Sequence, residues 1–143
     1  MEENKLERIL DLFNLLHDGT IDKITKENDN FIFQVYVPYI SELIEDEAEI
    51  LKIEFHQLKL LELRKWSSEE VVSKISEIEK AECEISGAKY FDGCVRVYCY
   101  SQYFSPGVSL DIIADDFNIY SESGKRLELV KVKEIVNKYW NDK

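Results

Sequence analysis

Glycine-rich phosphate loops, metal-ligand spacings and long apolar runs are all missing from this 143-residue chain, and each absence removes a class of function. With two prolines and five glycines, neither a collagen-like nor a low-complexity disordered chain is expected. Apolar runs such as Phe31-Ile32-Phe33 fall far short of the ~20 residues that cross a bilayer. The start, Met1-Glu2-Glu3-Asn4-Lys5, is acidic where a secretory signal is basic, so a cytoplasmic protein is expected.

Cysteine and histidine are scarce. Cys83, Cys94 and Cys99 make an odd count without CxxC spacing, neither a disulfide framework nor a zinc knuckle. Cys94 and Cys99 point to opposite faces of one predicted strand and cannot share one metal there; because free cysteine is so often buried, the three read as small buried hydrophobes. Of the two histidines, His17 stands just before Gly19, where a cation complements a helix C-terminus. Glu54 and His56 share one strand face and Asp111 and Asp115 another, but a stable metal site takes three or four ligands. Asp111–Glu122 lacks the glycine and spacing of a calcium loop, and no serine sits in a nucleophile elbow. No metal, no cofactor and no enzymatic activity are expected.

Negative charge is what the chain has in excess. Aspartate and glutamate number 29 against 18 lysines and arginines, a net of −11. Such a chain repels phosphate backbones and anionic lipid, which argues against nucleic-acid and membrane-surface binding. The excess lies in three windows: Glu42–Glu54 holds six acids and one base, Glu69–Glu84 six and two, Asp111–Glu122 four and none. Elsewhere acids and bases nearly balance.

At 45% hydrophobic, the chain suits a single globular domain spanning 1–143. Leu6, Ile9, Leu10, Phe13 and Leu16 recur at helical spacing, predicting a helix over 3–17. Strands are predicted at Phe31–Val37 (ended by Pro38), Ile50–His56, Lys59–Arg64, Cys94–Ser101 and Val108–Ala114, with Asp115-Asp116 as a bulge before Phe117–Tyr120. Asp92-Gly93 marks a hairpin between Glu82–Lys89 and Cys94–Ser101. Ser67 or Ser68 caps a middle helix with Val71, Val72, Ile75 and Ile78 inward, and a last helix runs from about Glu128 to Trp140 with Tyr139 and Trp140 inward. The expected class is α+β: a mainly antiparallel sheet of about six strands, with N-terminal, middle and C-terminal helices packed on it. At an offset of 62, Val35-Tyr36 falls on Val97-Tyr98 and Phe55 on Phe117, an echo that suggests a duplicated unit over 5–62 and 67–124.

Two surfaces stand out. Glu45, Asp46, Glu47, Glu49, Asp111, Asp115 and Asp116 compose an acidic edge that steers a basic protein partner. Arg96, Tyr98 and Tyr100 share one strand face, with Tyr36 on the matching face of its own strand and Tyr103 and Phe104 extending the patch. Tyr and Arg favour interfaces because they bury area while keeping a polar tip. In size, acidity and α+β organisation the chain is similar to small bacterial immunity proteins, which implies neutralisation of a basic toxin by electrostatic docking. Two alternatives are a self-associating subunit or adaptor, forming a homodimer through the aromatic face, and a small ligand-binding or enzymatic domain with a helix–sheet pocket.

Overall fold

Alternation of branched or aromatic residues with polar ones builds ten strands among the described residues, more than the six or so expected. The computed structural model describes residues 2–141, with side chains from Lys5 onward. In chain order the elements are α1 (Glu2–Leu15), β1 (Thr20–Glu27), β2 (Asn30–Tyr36), α2 (Pro38–Ile44), β3 (Ile50–His56), β4 (Leu60–Lys65) and β5 (Val71–Val72). There follow α3 (Ile75–Lys80), β6 (Glu84–Phe91), β7 (Cys94–Tyr100), β8 (Val108–Ile113), β9 (Asp116–Ser121), β10 (Arg126–Leu127) and α4 (Leu129–Asn141). The strands form one antiparallel sheet in the order β10-β9-β3-β2-β1-β6-β7-β8-β4-β5. The α+β class stands. No helix among the described residues is long and apolar enough to cross a membrane.

The sheet is organised about one contact. Thr20 pairs with Glu84, and around them Ile21 N–H donates to Cys83 O while Ile85 N–H donates to Gly19 O. From this point the hairpins β1–β2 and β6–β7 diverge with matching registers. Thr20 pairs with Tyr36 as Glu84 pairs with Tyr100, and both ladders carry a bulge, after Ile21 and after Ile85. Asn28 and Asp92 take the left-handed conformation in the two turns, which Asn and Asp tolerate. The hairpins thus correspond at an offset of 64, placing Val35 with Cys99 and Tyr36 with Tyr100, rather than at the 62 of the sequence echo. Past the shared pair each hairpin has a free edge, and a side chain caps it. Glu79 accepts from Ile24 N–H (2.9 Å), and Asn14 Oδ1 from Ala88 N–H (2.8 Å).

The outer strands are exchanged between the halves. β9 pairs with β3, while β4 pairs with β8. The bulge expected at Asp115-Asp116 is therefore a crossing. Asp115 N–H donates to His56 O, Lys59 holds the Asp115 carboxylate, and β9 leaves β8 altogether. The predicted middle helix also differs. Glu69 adopts φ 60°, Ser68 Oγ accepts from Glu70 N–H, and the chain reverses so that Val71 and Val72 pair with Arg64 and Leu63. Two β-branched residues beside a strand edge favour the ladder, and the helix shrinks to Ile75–Lys80.

One face of the sheet packs on α1. Ile9, Leu12, Phe13 and Leu16 are fully buried, and Phe13 stacks on Phe55 with centroids 6.0 Å apart. Phe33 meets Phe55 edge-on at 4.9 Å and Phe117 lies 6.1 Å away. α4 lies beside α1 and α2, tied by Lys133 Nζ to Asp11 at 2.9 Å and burying Leu129, Val132 and Val136. Trp140, expected inward, is exposed, because the buried stripe of α4 runs through Leu129, Val132 and Val136 instead.

Candidate functional site

Tyr36, Arg96, Tyr98 and Tyr100 share the outer face of the sheet, opposite α1, because their neighbours Val35, Val97 and Cys99 point into the core. Tyr36 and Tyr100 are exposed at matching positions flanking the Thr20–Glu84 pair. Three strand steps separate them, about 14 Å. Tyr98 is half-buried, with the Trp66 ring 6.4 Å away. The Trp66 indole N–H donates to Ser109 Oγ at 2.7 Å, and the ring lies across Gly107, where a Cβ would meet it at 2.6 Å.

Arg96 has a different task. Its Nε and Nη2 fork onto the two oxygens of Asp111 at 2.7 and 2.9 Å, and its guanidinium lies 3.6 Å from the Phe91 ring centroid. The hydrogen bonds to Asp111 raise the Arg96 pKa. Both side chains are nearly buried, so the pair satisfies itself within the sheet. Beside it Cys94 donates its thiol to Phe91 O, and burial, with Asp111 nearby, pushes its pKa up to about 11.

Most of the acidic edge is likewise tied to the protein's own groups. Asp115 binds Lys59 at 3.0 Å with Lys5 at 4.0 Å, and the Lys59 contact holds its carboxyl below the ordinary range. Asp116 pairs with Arg8, whose guanidinium lies over the Phe117 ring. Glu45 accepts from the Ser123 hydroxyl and N–H and from Ser121 Oγ, and the Ser123 bonds lower its pKa. Glu122 accepts from the N–H groups of Glu49 and Ile50. The first and third acidic windows therefore meet at the corner joining α2, β3 and β9, largely through capping contacts. Asp46, Glu47 and Glu49 remain exposed there, while Asp111 sits apart on the outer face.

The second window, Glu69–Glu84, has another geometry. Two adjoining hollows run between α3 and the segment joining β7 to β8. The larger, about 540 Å³, is lined by Asp22, Glu79, Lys80, Glu82, Tyr103 and Phe104. The smaller, about 320 Å³, shares Lys80 and Phe104 and adds Leu63, Lys65, Glu70, Val72 and Glu77. Lys65 pairs with Glu70 at 2.9 Å and lies 4.5 Å from the Phe104 ring centroid. Asp22, Glu77 and Glu82 have no ion-pair partner among the described residues, against one amine, Lys80, while Glu79 is held by Ile24 N–H. The groove is thus apolar at its base and negative along its walls. Tyr103 and Phe104, read in sequence as extending the tyrosine face, belong to this groove instead, with Phe104 packed on the core. The charge of this window is legible in the sequence but its groove is not, because the predicted middle helix hid the turn that opens it.

A third hollow, about 210 Å³, lies by Lys5, Lys59, Gly93 and Asp115, and the Asp115 ion pairs already occupy its polar side. Among the described residues no three His, Cys, Asp or Glu side chains are grouped to hold a metal. Compared with family models, curated proteins and solved structures, the chain matches none, so the functional reading rests on the geometry of this groove.

Proposed function

We propose that the chain is a non-enzymatic binding protein whose acidic groove docks a basic protein, and that it acts as an immunity-type protein neutralising a basic toxin domain. One observation carries this reading: Asp22, Glu77 and Glu82, carboxylates without ion-pair partners among the described residues, line two adjoining hollows whose apolar lining includes Leu63, Val72 and Phe104. Carboxylates held near an apolar floor complement lysine and arginine side chains, whose aliphatic stems cover apolar surface while their heads meet charge. Exposed Tyr103, at the rim, offers the amphipathic ring that interfaces favour. An immunity role predicts a gene for a basic toxin immediately upstream, and the test is titration of this protein with that adjacent gene's product at low and high salt. A tight complex that weakens as salt rises supports the reading. No complex, or one indifferent to salt, overturns it.

Self-association is a second reading, favoured by Trp66, Tyr36 and Tyr100, which are all about half exposed on the outer face. Outer face and groove lie on opposite sides of the sheet, so the two readings separate by mutation.

A further inference from the structure

We infer that the groove receives an amphipathic helix of the partner, bearing lysine or arginine, seated at the β4–β5 end of the sheet as α4 is seated at the β9–β10 end. This rests on the preceding reading that the partner is a basic protein. The matching registers relate β3, β9 and β10 to β8, β4 and β5: Ile53 lies between Phe33 and Ile119 as Leu110 lies between Val97 and Leu63. At the β9–β10 end helices cover the inner face, with α1 against β9 and α2 against β3. Helix α2 follows β2, α4 follows β10, the two helices touch, and Leu129, Val132 and Val136 are buried. At the β4–β5 end the cover is incomplete. The helix after β5 is only α3, six residues long, and among the described residues no helix lies between β7 and β8. Val72 and Phe104 are left half-buried under the groove.

Two tyrosines mark the difference. Tyr39 and Tyr103 each lie three residues beyond a matched pair member, Tyr36 and Tyr100. Tyr39 is half-buried and donates its hydroxyl to His17 O, whereas Tyr103 is 58% exposed. The occupant's chemistry follows from the lining and from α4 as a template. α4 buries residues at i, i+3 and i+7 and extends Lys133 to Asp11. A helix with that spacing sets apolar side chains on Val72 and Phe104 and cations against Glu77, Glu82 and Asp22. An extended segment has little ladder to join. The edge strand β5 is two residues long, and on the free edge of β1 the Ile24 N–H is already taken by Glu79.

The experiment uses two synthetic peptides of identical composition: a lysine–leucine helix with i, i+3, i+4, i+7 apolar spacing, and a scramble that destroys the spacing. Each is titrated into the intact protein and into the Glu77→Lys/Glu82→Lys variant. The inference expects the patterned peptide to bind at least tenfold tighter than the scramble, with a gain of helical circular dichroism, and the variant to lose that binding. Equal binding of both peptides, abolished in the variant, overturns the helix and leaves the basic-partner reading standing. Binding unaffected by the variant, no binding by either peptide, or occupation of the groove by a second copy of the chain also overturns it. The basic-partner reading is decided separately by the adjacent gene product.

Discussion

Tyr39 and Tyr103 hold corresponding places in the two halves of the sheet, yet Tyr39 is closed onto the end of α1 and Tyr103 stands open over a groove. The halves share strand registers but differ in the helices that cover them. That difference, more than the overall acidity, is the basis for the proposed docking surface.

The Arg96–Asp111 pair is predicted to serve stability rather than binding. Both side chains are nearly buried and joined by two hydrogen bonds, so Arg96→Ala leaves Asp111 charged and unpaired. A loss of about 3 kcal/mol is expected, the low end for a broken buried pair because both groups keep some exposure. Urea unfolding measures it. The affinity for a basic partner is expected to stay unchanged.

Phe55 touches three other aromatic rings at the centre of the core. Phe55→Ala removes all three contacts and leaves a cavity, at an expected cost of about 3–5 kcal/mol in the same assay.

Glu45 and Asp115 give the fold an acid limb. Their folded-state pKa values lie below the ordinary 4.5 and 3.8, held there chiefly by Ser123 and Lys59. A depressed carboxyl stabilises the fold fully above its unfolded pKa, and that contribution is lost as pH falls through the folded value. The melting temperature is therefore expected to drop below about pH 4.5, and less steeply in Glu45→Gln/Asp115→Asn. Parallel melting curves against pH for the two proteins would contradict this.

All three cysteines are buried; burial raises the pKa of Cys94, and the hydrogen bond with Cys83, followed by burial, raises that of Cys99. Thiol-reactive disulfide reagent at pH 8 is expected to titrate none of them rapidly in the folded protein and all three in denaturant.

The strands were readable because their inward residues alternate: Phe33 and Val35, Leu51, Ile53 and Phe55, and Val95, Val97 and Cys99 are all buried. The hairpin turn at Asp92-Gly93 was readable for its backbone chemistry. What stayed hidden was non-local. Periodicity assigns a face to β4 and β9 but not a neighbour, so their exchange between halves left no local mark. Val71 and Val72 fit a helical stripe as well as a two-residue strand, and the left-handed Glu69 that decides between them carries no glycine or asparagine signal. At the candidate site the tyrosine face was legible from alternation alone. The fate of each carboxylate was not, because Asp115 meets Lys5 and Lys59, and Asp116 meets Arg8, only after folding.

The central claim is that the basic partner engages the α3 groove and not the acidic corner after α2. The most direct test compares the affinity of the adjacent basic gene product for Glu77→Lys/Glu82→Lys and for Asp46→Lys/Glu47→Lys, two variants with the same change in net charge. A loss of at least about tenfold is expected in the groove variant with little change in the corner variant. Equal losses in both, or a larger loss at the corner, would contradict the assignment.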